Sequence, residues 1–193
     1  MLFIKKLRFG IIGCSRIALS STIPAILQSR FASLGHIGSR NVAKAEIFAK
    51  KFNCKKFGSY QDVLNDDAVD AVYISLPIGL HEEWVIRAAK AGKHVLCEKS
   101  STVSYKSAQK MVHVCKKHNV RLLEGFMFRF HPSHQKVKEI IKMGNLGKLF
   151  SFYGKYGFSQ IPYGDIRHNK NLGGGILNDA GCYPICASRI RSE

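Results

Sequence analysis

Up to about residue 125, short and nearly continuous apolar runs alternate with stretches whose apolar positions recur at helical spacing. Leu7 to Gly13 is an apolar run that ends in glycine, and Arg16 to Gln28 follows as a helix, with Pro24 a possible kink. The rhythm then repeats. Ser33 to Ser39, Lys55 to Phe57, Ala71 to Leu76, His94 to Cys97 and Arg121 to Gly125 read as strands. The helices between them are Ala43 to Phe52, Tyr60 to Leu64, Glu82 to Ala91 and Tyr105 to His118. Alternation of this kind predicts an α/β fold, a doubly wound parallel Rossmann sheet with helices on both faces. Strands that are apolar throughout, such as Ala71-Val72-Tyr73-Ile74, fit a sheet covered on both sides.

Beyond Arg129 the pattern changes. A helix is predicted from Pro132 to about Met143, then a turn at Gly144-Asn145-Leu146-Gly147 and a long β-like run from Lys148 to Phe158. After Gly173-Gly174-Gly175 comes an apolar segment to Ile190 and a charged tail, Arg191-Ser192-Glu193. The reading is a Rossmann domain over 1–125 and the beginning of a second, α+β domain over 126–193, which serves substrate binding and dimerisation. Either the chain is incomplete or its lone second-domain strand pairs with another molecule.

Composition narrows the class. The 193 residues are 46% hydrophobic and 22% charged, a globular balance. A chain of this size can bury roughly 70% of its unfolded surface without disulfides or structural metal. No apolar stretch approaches the ~20 residues of a membrane span, and the amino-terminal apolar run is too short for a secretory signal, so a cytoplasmic protein is expected. Six cysteines form no CxxC pair and read as reduced, mostly structural thiols. Lys and Arg number 30 against 13 Asp and Glu, a net charge of +17. The clusters at Lys50, Lys51, Lys55 and Lys56 and at Lys116, Lys117 and His118 lack interleaved aromatics or a helix-turn-helix pattern, so they read as solvated helix faces and no nucleic-acid partner is expected.

The first strand-to-helix turn carries the chemistry. In Gly10 to Ala18, read as GxGxxA on Gly13, Ser15 and Ala18, glycine permits a tight reversal and close approach of a pyrophosphate. The free N–H groups of Arg16 and Ile17 at the helix start would receive it. Ser15 stands in place of the middle glycine. At the end of the second strand, where an acid would select NAD, stand Ser39 and Arg40, a hydroxyl and a guanidinium suited to a 2′-phosphate. NADP is therefore the expected cofactor, with NAD possible; the alternative is an Arg40 that stacks over adenine.

From Glu98 and Lys99, directly after the fifth strand, the sequence resembles the glucose-fructose oxidoreductase and inositol dehydrogenase family, in its sugar or dihydrodiol dehydrogenase branch. The likeness also covers the Gly10 to Ala18 fingerprint, Ser75-Leu76-Pro77 followed by His81, the stretch Glu124 to Pro132, and Leu172 to Gly175 leading to Asp179 and Tyr183. It implies hydride transfer between a nicotinamide and a sugar, polyol or cyclic diol, with Leu76, Pro77, His81, Glu98 and Lys99 near the cofactor. Lys99 would relay or accept the substrate proton, Tyr183 would accept or donate it, and Asp179 would hydrogen-bond and orient the substrate. Arg129 and His131 would wall the substrate pocket, although an ordinary ion pair explains Arg129 equally well. No metal is expected, because His131 and His134 lack ligand spacing and a third partner.

Alternatives stay open at each position. Lys99 could be a solvated surface lysine, Asp179 a helix cap and Tyr183 a core residue. Asp179 and Tyr183 share a helix face only if Pro184 falls in a first turn. Ser100 follows Lys99 where the family usually has proline, often cis. A non-proline cis bond costs ~3 kcal/mol, so the loop can be trans and Lys99 differently aimed. The family's second domain is also longer, so a homo-oligomer is expected if a full-length chain exists. The rival reading is a catalytically inactive, truncated cofactor-binding or interaction protein.

Overall fold

Ala71, Val72, Tyr73 and Ile74 are all buried, and this strand lies at the centre of the sheet. The computed structural model describes residues 5–192. Met1 to Ile4, which carry the reading of the amino terminus, and Glu193 of the charged tail lie outside the described residues. The strands are β1 (Leu7–Ile12), β2 (Ala32–Gly38), β3 (Phe57–Gly58), β4 (Ala71–Ile74), β5 (His94–Cys97) and β6 (Leu122–Glu124). They form one sheet in the order β3-β2-β1-β4-β5-β6, and every pairing is parallel. The order reverses between β1 and β4, and the carboxyl ends of those strands open the crevice in which such sheets take ligands.

Alternation along the strands builds two cores. Ile12, Val72 and Ile74 face one side, where they pack with Val85 and Ala88 of α4 (His81–Lys90) and Met111 of α5 (Tyr105–Lys117). Ile11, Ile37 and Tyr73 face the other, against Ile23 and Ile26 of α1 (Ile23–Gln28) and Phe48 of α2 (Val42–Lys51). Helix starts follow local chemistry: the side chain of Asn41 caps α2, Ser59 and Asp62 make a capping box for α3 (Tyr60–Asn65), and Ser104 caps α5. Pro24 lacks an N–H, and directly before it the helix widens into a π turn over Ala18–Thr22, closed by the Ile23 N–H donating to the Ala18 carbonyl.

Asp66, at the end of α3, pins the edge of the sheet. Lys56 Nζ donates to both its oxygens at 2.9 Å and His36 Nδ1 lies 3.0 Å from Oδ2. Burial opposes ionisation here, but Lys56, His36 and the Ala68 N–H together bring the Asp66 carboxyl from 3.8 down to about 2. A depressed acid stabilises the fold above its unfolded pKa and loses that contribution as pH falls through the folded one. Thermal melts should therefore show stability lost between about pH 4 and pH 2. Asp66→Asn should lower the melting temperature at neutral pH and flatten that acid limb; an unchanged limb would contradict the assignment.

After the sheet, a turn at Met127–Phe130 leads into α6 (Pro132–Lys142), and α7 (Cys182–Ser192) ends the described chain. The β-run expected over 148–158 is a correction: among the described residues no strand forms there. Its aromatic residues have strand propensity, but a ladder requires a partner, and every described strand belongs to the parallel sheet. All six cysteines are free thiols, and among the described residues no helix is long and apolar enough to cross a membrane.

Candidate active site

A cleft of about 860 Å³ runs along the carboxyl ends of β1, β2, β4 and β5 and is roofed by the segment between α6 and α7. At one end Gly13, with φ +107°, turns the chain from β1 toward the first helix. A Cβ there would lie 2.9 Å from the Leu76 side chain and 3.0 Å from the Ser75 carbonyl oxygen, so only glycine fits. Ser15 keeps an ordinary φ, since the non-glycine residues of positive φ among those described are Asn53 and Asn119. Its Oγ accepts from the Ala18 N–H at 3.1 Å and caps the helix. Ser15, Arg16 and Ile17 line the cleft, as do Ser39 and Arg40 just past β2. The sequence reading missed Lys44 and Tyr60, which line the same end; their positions depend on how α2 and α3 pack beside β2. A glycine cradle, a helix start and cationic side chains beyond β2 fit the phosphates of a dinucleotide.

At the other end Lys99, on the loop after β5, reaches across to the turn before α7. Its Nζ donates to Asp179 Oδ1 at 2.9 Å and to the Asp179 carbonyl at 2.7 Å. The same Nζ lies 5.1 Å from the centroid of the Tyr183 ring. Lys99 is thus no solvated surface residue: its side chain is 15% exposed, as is that of Asp179. The Lys99–Ser100 peptide is cis, where a trans bond was possible, and Ser100 Oγ donates to the Asn178 carbonyl at 2.7 Å. Asp179 lies in a π turn over Leu177–Gly181 that runs without a break into α7, so Pro184 does not open the helix; the widened turn just before it accommodates its missing N–H, as at Pro24. Asp179 and Tyr183 consequently both line the cleft.

Electrostatics separates their roles. Burial opposes the ionisation of Asp179, but hydrogen bonds from Lys99 and Arg167 outweigh it and hold the carboxyl below its ordinary range. Both its oxygens are engaged by cations, Oδ2 by Arg167 Nε at 2.6 Å. Burial, reinforced by Tyr156, Cys182, Glu98 and Asp179, pushes the Tyr183 phenol up to about 12. Tyr156 stacks on Tyr183 with ring centroids 4.6 Å apart, and Phe126 meets it edge-on at 5.7 Å. Glu98 lines the cleft and accepts the Tyr73 hydroxyl at 2.6 Å, which fixes its carboxylate from below.

Four expected site residues lie outside the cleft. Gly10 is inside β1, where a Cβ would collide with Val63, so it serves helix packing rather than a cofactor. His81 is 1% exposed; its ring nitrogens face the Leu76 carbonyl at 2.8 Å and the Ser100 carbonyl at 3.0 Å, and it ties two cleft loops together from behind. Arg129 is exposed in the turn before α6, and His131 caps that helix by accepting from the Ser133 N–H. Neither walls the cleft, because the turn carries both away from it. Leu76 and Pro77 do line it. Arg167, Tyr156 and Phe158 line it as well and were not anticipated, since nothing local marks them.

Residues 7–126 match an oxidoreductase family with an NAD-binding Rossmann fold, and residues 134–190 match the GFO/IDH/MocA C-terminal domain. A D-xylose 1-dehydrogenase (NADP(+)) of Haloferax volcanii is 40% identical over 185 residues, covering 94% of this chain and 56% of that protein. A dTDP-3,4-didehydro-2,6-dideoxy-alpha-D-glucose 3-reductase of Actinomadura kijaniata is 38% identical over 184 residues, covering 95% of this chain and 55% of the relative. A solved 3-ketoreductase from Actinomadura kijaniata, in complex with NADP and TDP-benzene, superposes with a TM-score of 0.90 at 38% identity, covering 95% of this chain and 57% of that one. The chain spans about half the length of the curated relatives it matches.

Proposed function

The chain belongs to the GFO/IDH/MocA oxidoreductase family, and from that premise we propose that it is the nucleotide-binding and catalytic part of an NADP-dependent oxidoreductase acting on a sugar or a related carbonyl or hydroxyl compound. Residues 1–125 would hold the dinucleotide, and residues 126–193 would supply the proton donor and the first walls of the substrate pocket. The observation that carries this reading is the trio at the end of β5: Lys99 Nζ 2.9 Å from Asp179 Oδ1 and 5.1 Å from the Tyr183 ring, on the same cleft as Gly13 and Arg40. The relatives' printed activities, a D-xylose dehydrogenase and a 3-ketosugar reductase, support it.

When bound, the cofactor supplies or accepts the hydride at its nicotinamide ring. The chain's own residues handle the proton. In reduction of a carbonyl, Tyr183, protonated up to about pH 12, donates its phenolic proton to the substrate oxygen as charge develops there. In oxidation of a hydroxyl it takes that proton back. Two of the three N–H bonds of Lys99 are committed to Asp179, which leaves one for the substrate oxygen. Its charge also favours the phenolate that forms when Tyr183 gives up its proton. Tyr156 and Phe126 pack against the ring of Tyr183 and fix its orientation in the cleft.

Fluorescence titration tests the cofactor. The chain should bind NADPH more tightly than NADH, and Arg40→Ala should weaken NADPH by roughly 10- to 100-fold, as expected for loss of a charge-assisted hydrogen bond, while leaving NADH unchanged. Equal affinities, or absence of binding, would contradict the reading. A dehydrogenase assay on a panel of sugars and ketosugars then identifies the substrate.

A further inference from the structure

Asp179 is the carboxylate that pairs with the Lys99 ammonium, while the Lys99 backbone N–H donates to Glu98 Oε2 at 3.3 Å, yet Asp179 divides its two oxygens between two cations. Lys99 takes Oδ1, and Arg167 Nε takes Oδ2 at 2.6 Å. Arg167 is itself held from both sides. Its Nη1 donates to Asp165 Oδ1 and Oδ2 at 3.2 and 3.1 Å, and the Asp165 carboxylate also accepts the Arg167 backbone N–H at 2.9 Å. The ring of Phe158 lies 5.8 Å from the guanidinium carbon. The backbone is strapped down as well: the Gly175 N–H donates to the Arg167 carbonyl at 2.9 Å, and a Cβ on Gly174 would meet that carbonyl oxygen at 2.5 Å. The triple glycine therefore brings the Arg167 turn against the segment that carries Asp179.

We infer that Arg167 is a positioning residue that acts through Asp179: by occupying Oδ2 it fixes the carboxylate so that Oδ1 alone faces Lys99, keeping the ammonium aimed into the cleft. A carboxylate without Arg167 is free to turn about its side-chain torsions toward solvent, which takes Oδ1 off Lys99. Lys99 then keeps its bond to the Asp179 carbonyl but loses its fixed ion pair. The inference rests on the proposed oxidoreductase for its effect on turnover, although the geometry it describes exists without cofactor.

Two measurements test it. In the cofactor-free protein, acetylation of Lys99 by an amine-reactive ester, read by peptide mass mapping against the other lysines, should be at least about threefold faster in Arg167→Ala than in wild type. Dilute guanidinium chloride should reverse the change where sodium chloride does not. Asp179→Asn should accelerate it also, and the double variant should be no faster than Asp179→Asn alone, as two residues acting in series require. Rates in Arg167→Ala equal to wild type, or effects that add in the double variant, would overturn the inference.

In turnover, Arg167→Ala should lower kcat by about tenfold with KM changed little and NADPH affinity unaltered, and Arg167→Lys should restore only part, since a lysine cannot bridge two carboxylates as a planar fork does. An unchanged kcat overturns the inference too. If wild type neither binds NADPH nor turns over a sugar, the proposed function fails, and the acetylation rates still decide the role of Arg167.

Discussion

Lys99→Met is expected to lower kcat by about 10²- to 10⁴-fold while the NADPH dissociation constant changes by less than about threefold. Methionine keeps the length of the side chain and removes its charge and donors. The loss falls on the reacting centre, because Lys99 is the cation that touches both the Asp179 carboxylate, at 2.9 Å, and the face of the Tyr183 ring, at 5.1 Å. The dinucleotide end of the cleft is built from other elements, so affinity there survives. Asp179 retains Arg167 as a partner, so the substitution leaves no buried carboxylate uncompensated and the fold should hold. Steady-state kinetics beside a fluorescence titration separates the outcomes. A kcat within threefold of wild type would remove Lys99 from the mechanism.

The second large effect is expected at the opposite end. Gly13→Ala forces φ +107° on a residue with a Cβ, which costs of order 1–3 kcal/mol, and drives that carbon against the Ser75 backbone. Ser75 cannot easily retreat: its N–H donates to the Ile12 carbonyl at 3.0 Å and its Oγ to the Gly13 carbonyl at 2.8 Å. The variant should melt several degrees lower and bind NADPH more than about 100-fold more weakly, because the turn that admits the pyrophosphate is displaced. Circular dichroism checks that the variant has folded. A folded Gly13→Ala that binds NADPH like wild type would show that the cradle does not depend on this turn.

What could be read before the structure was known was local. Gly13, Ser15 and Arg16 stand in one strand-turn-helix unit, and Ser39 and Arg40 follow a strand whose apolar pattern is plain, so spacing alone located them. Tyr156, Phe158 and Arg167 escaped because the chain carries them to the cleft through irregular segments with no period to read. The aromatic run over 148–158 misled for a related reason. Its composition suits a strand, but a strand exists only with a neighbour, and sequence pattern does not report whether one is present. Gly10 and His81 show the opposite error: residues beside a motif can serve the packing behind a site rather than the site, as Val63 against Gly10 and the two carbonyls around His81 demonstrate.

The groups proposed to react come from distant stretches of chain, Lys99 from the loop after β5 and Asp179 and Tyr183 from the π turn before α7 and from α7 itself. A polypeptide leaving the ribosome completes its nucleotide cradle, through Glu124, well before Arg167 and Tyr183 emerge. A nascent molecule would thus acquire its hold on the coenzyme first and its acid later. Under the proposed function, reactivity would switch on only when the segment that carries Asp179 and Tyr183 docks on the completed sheet.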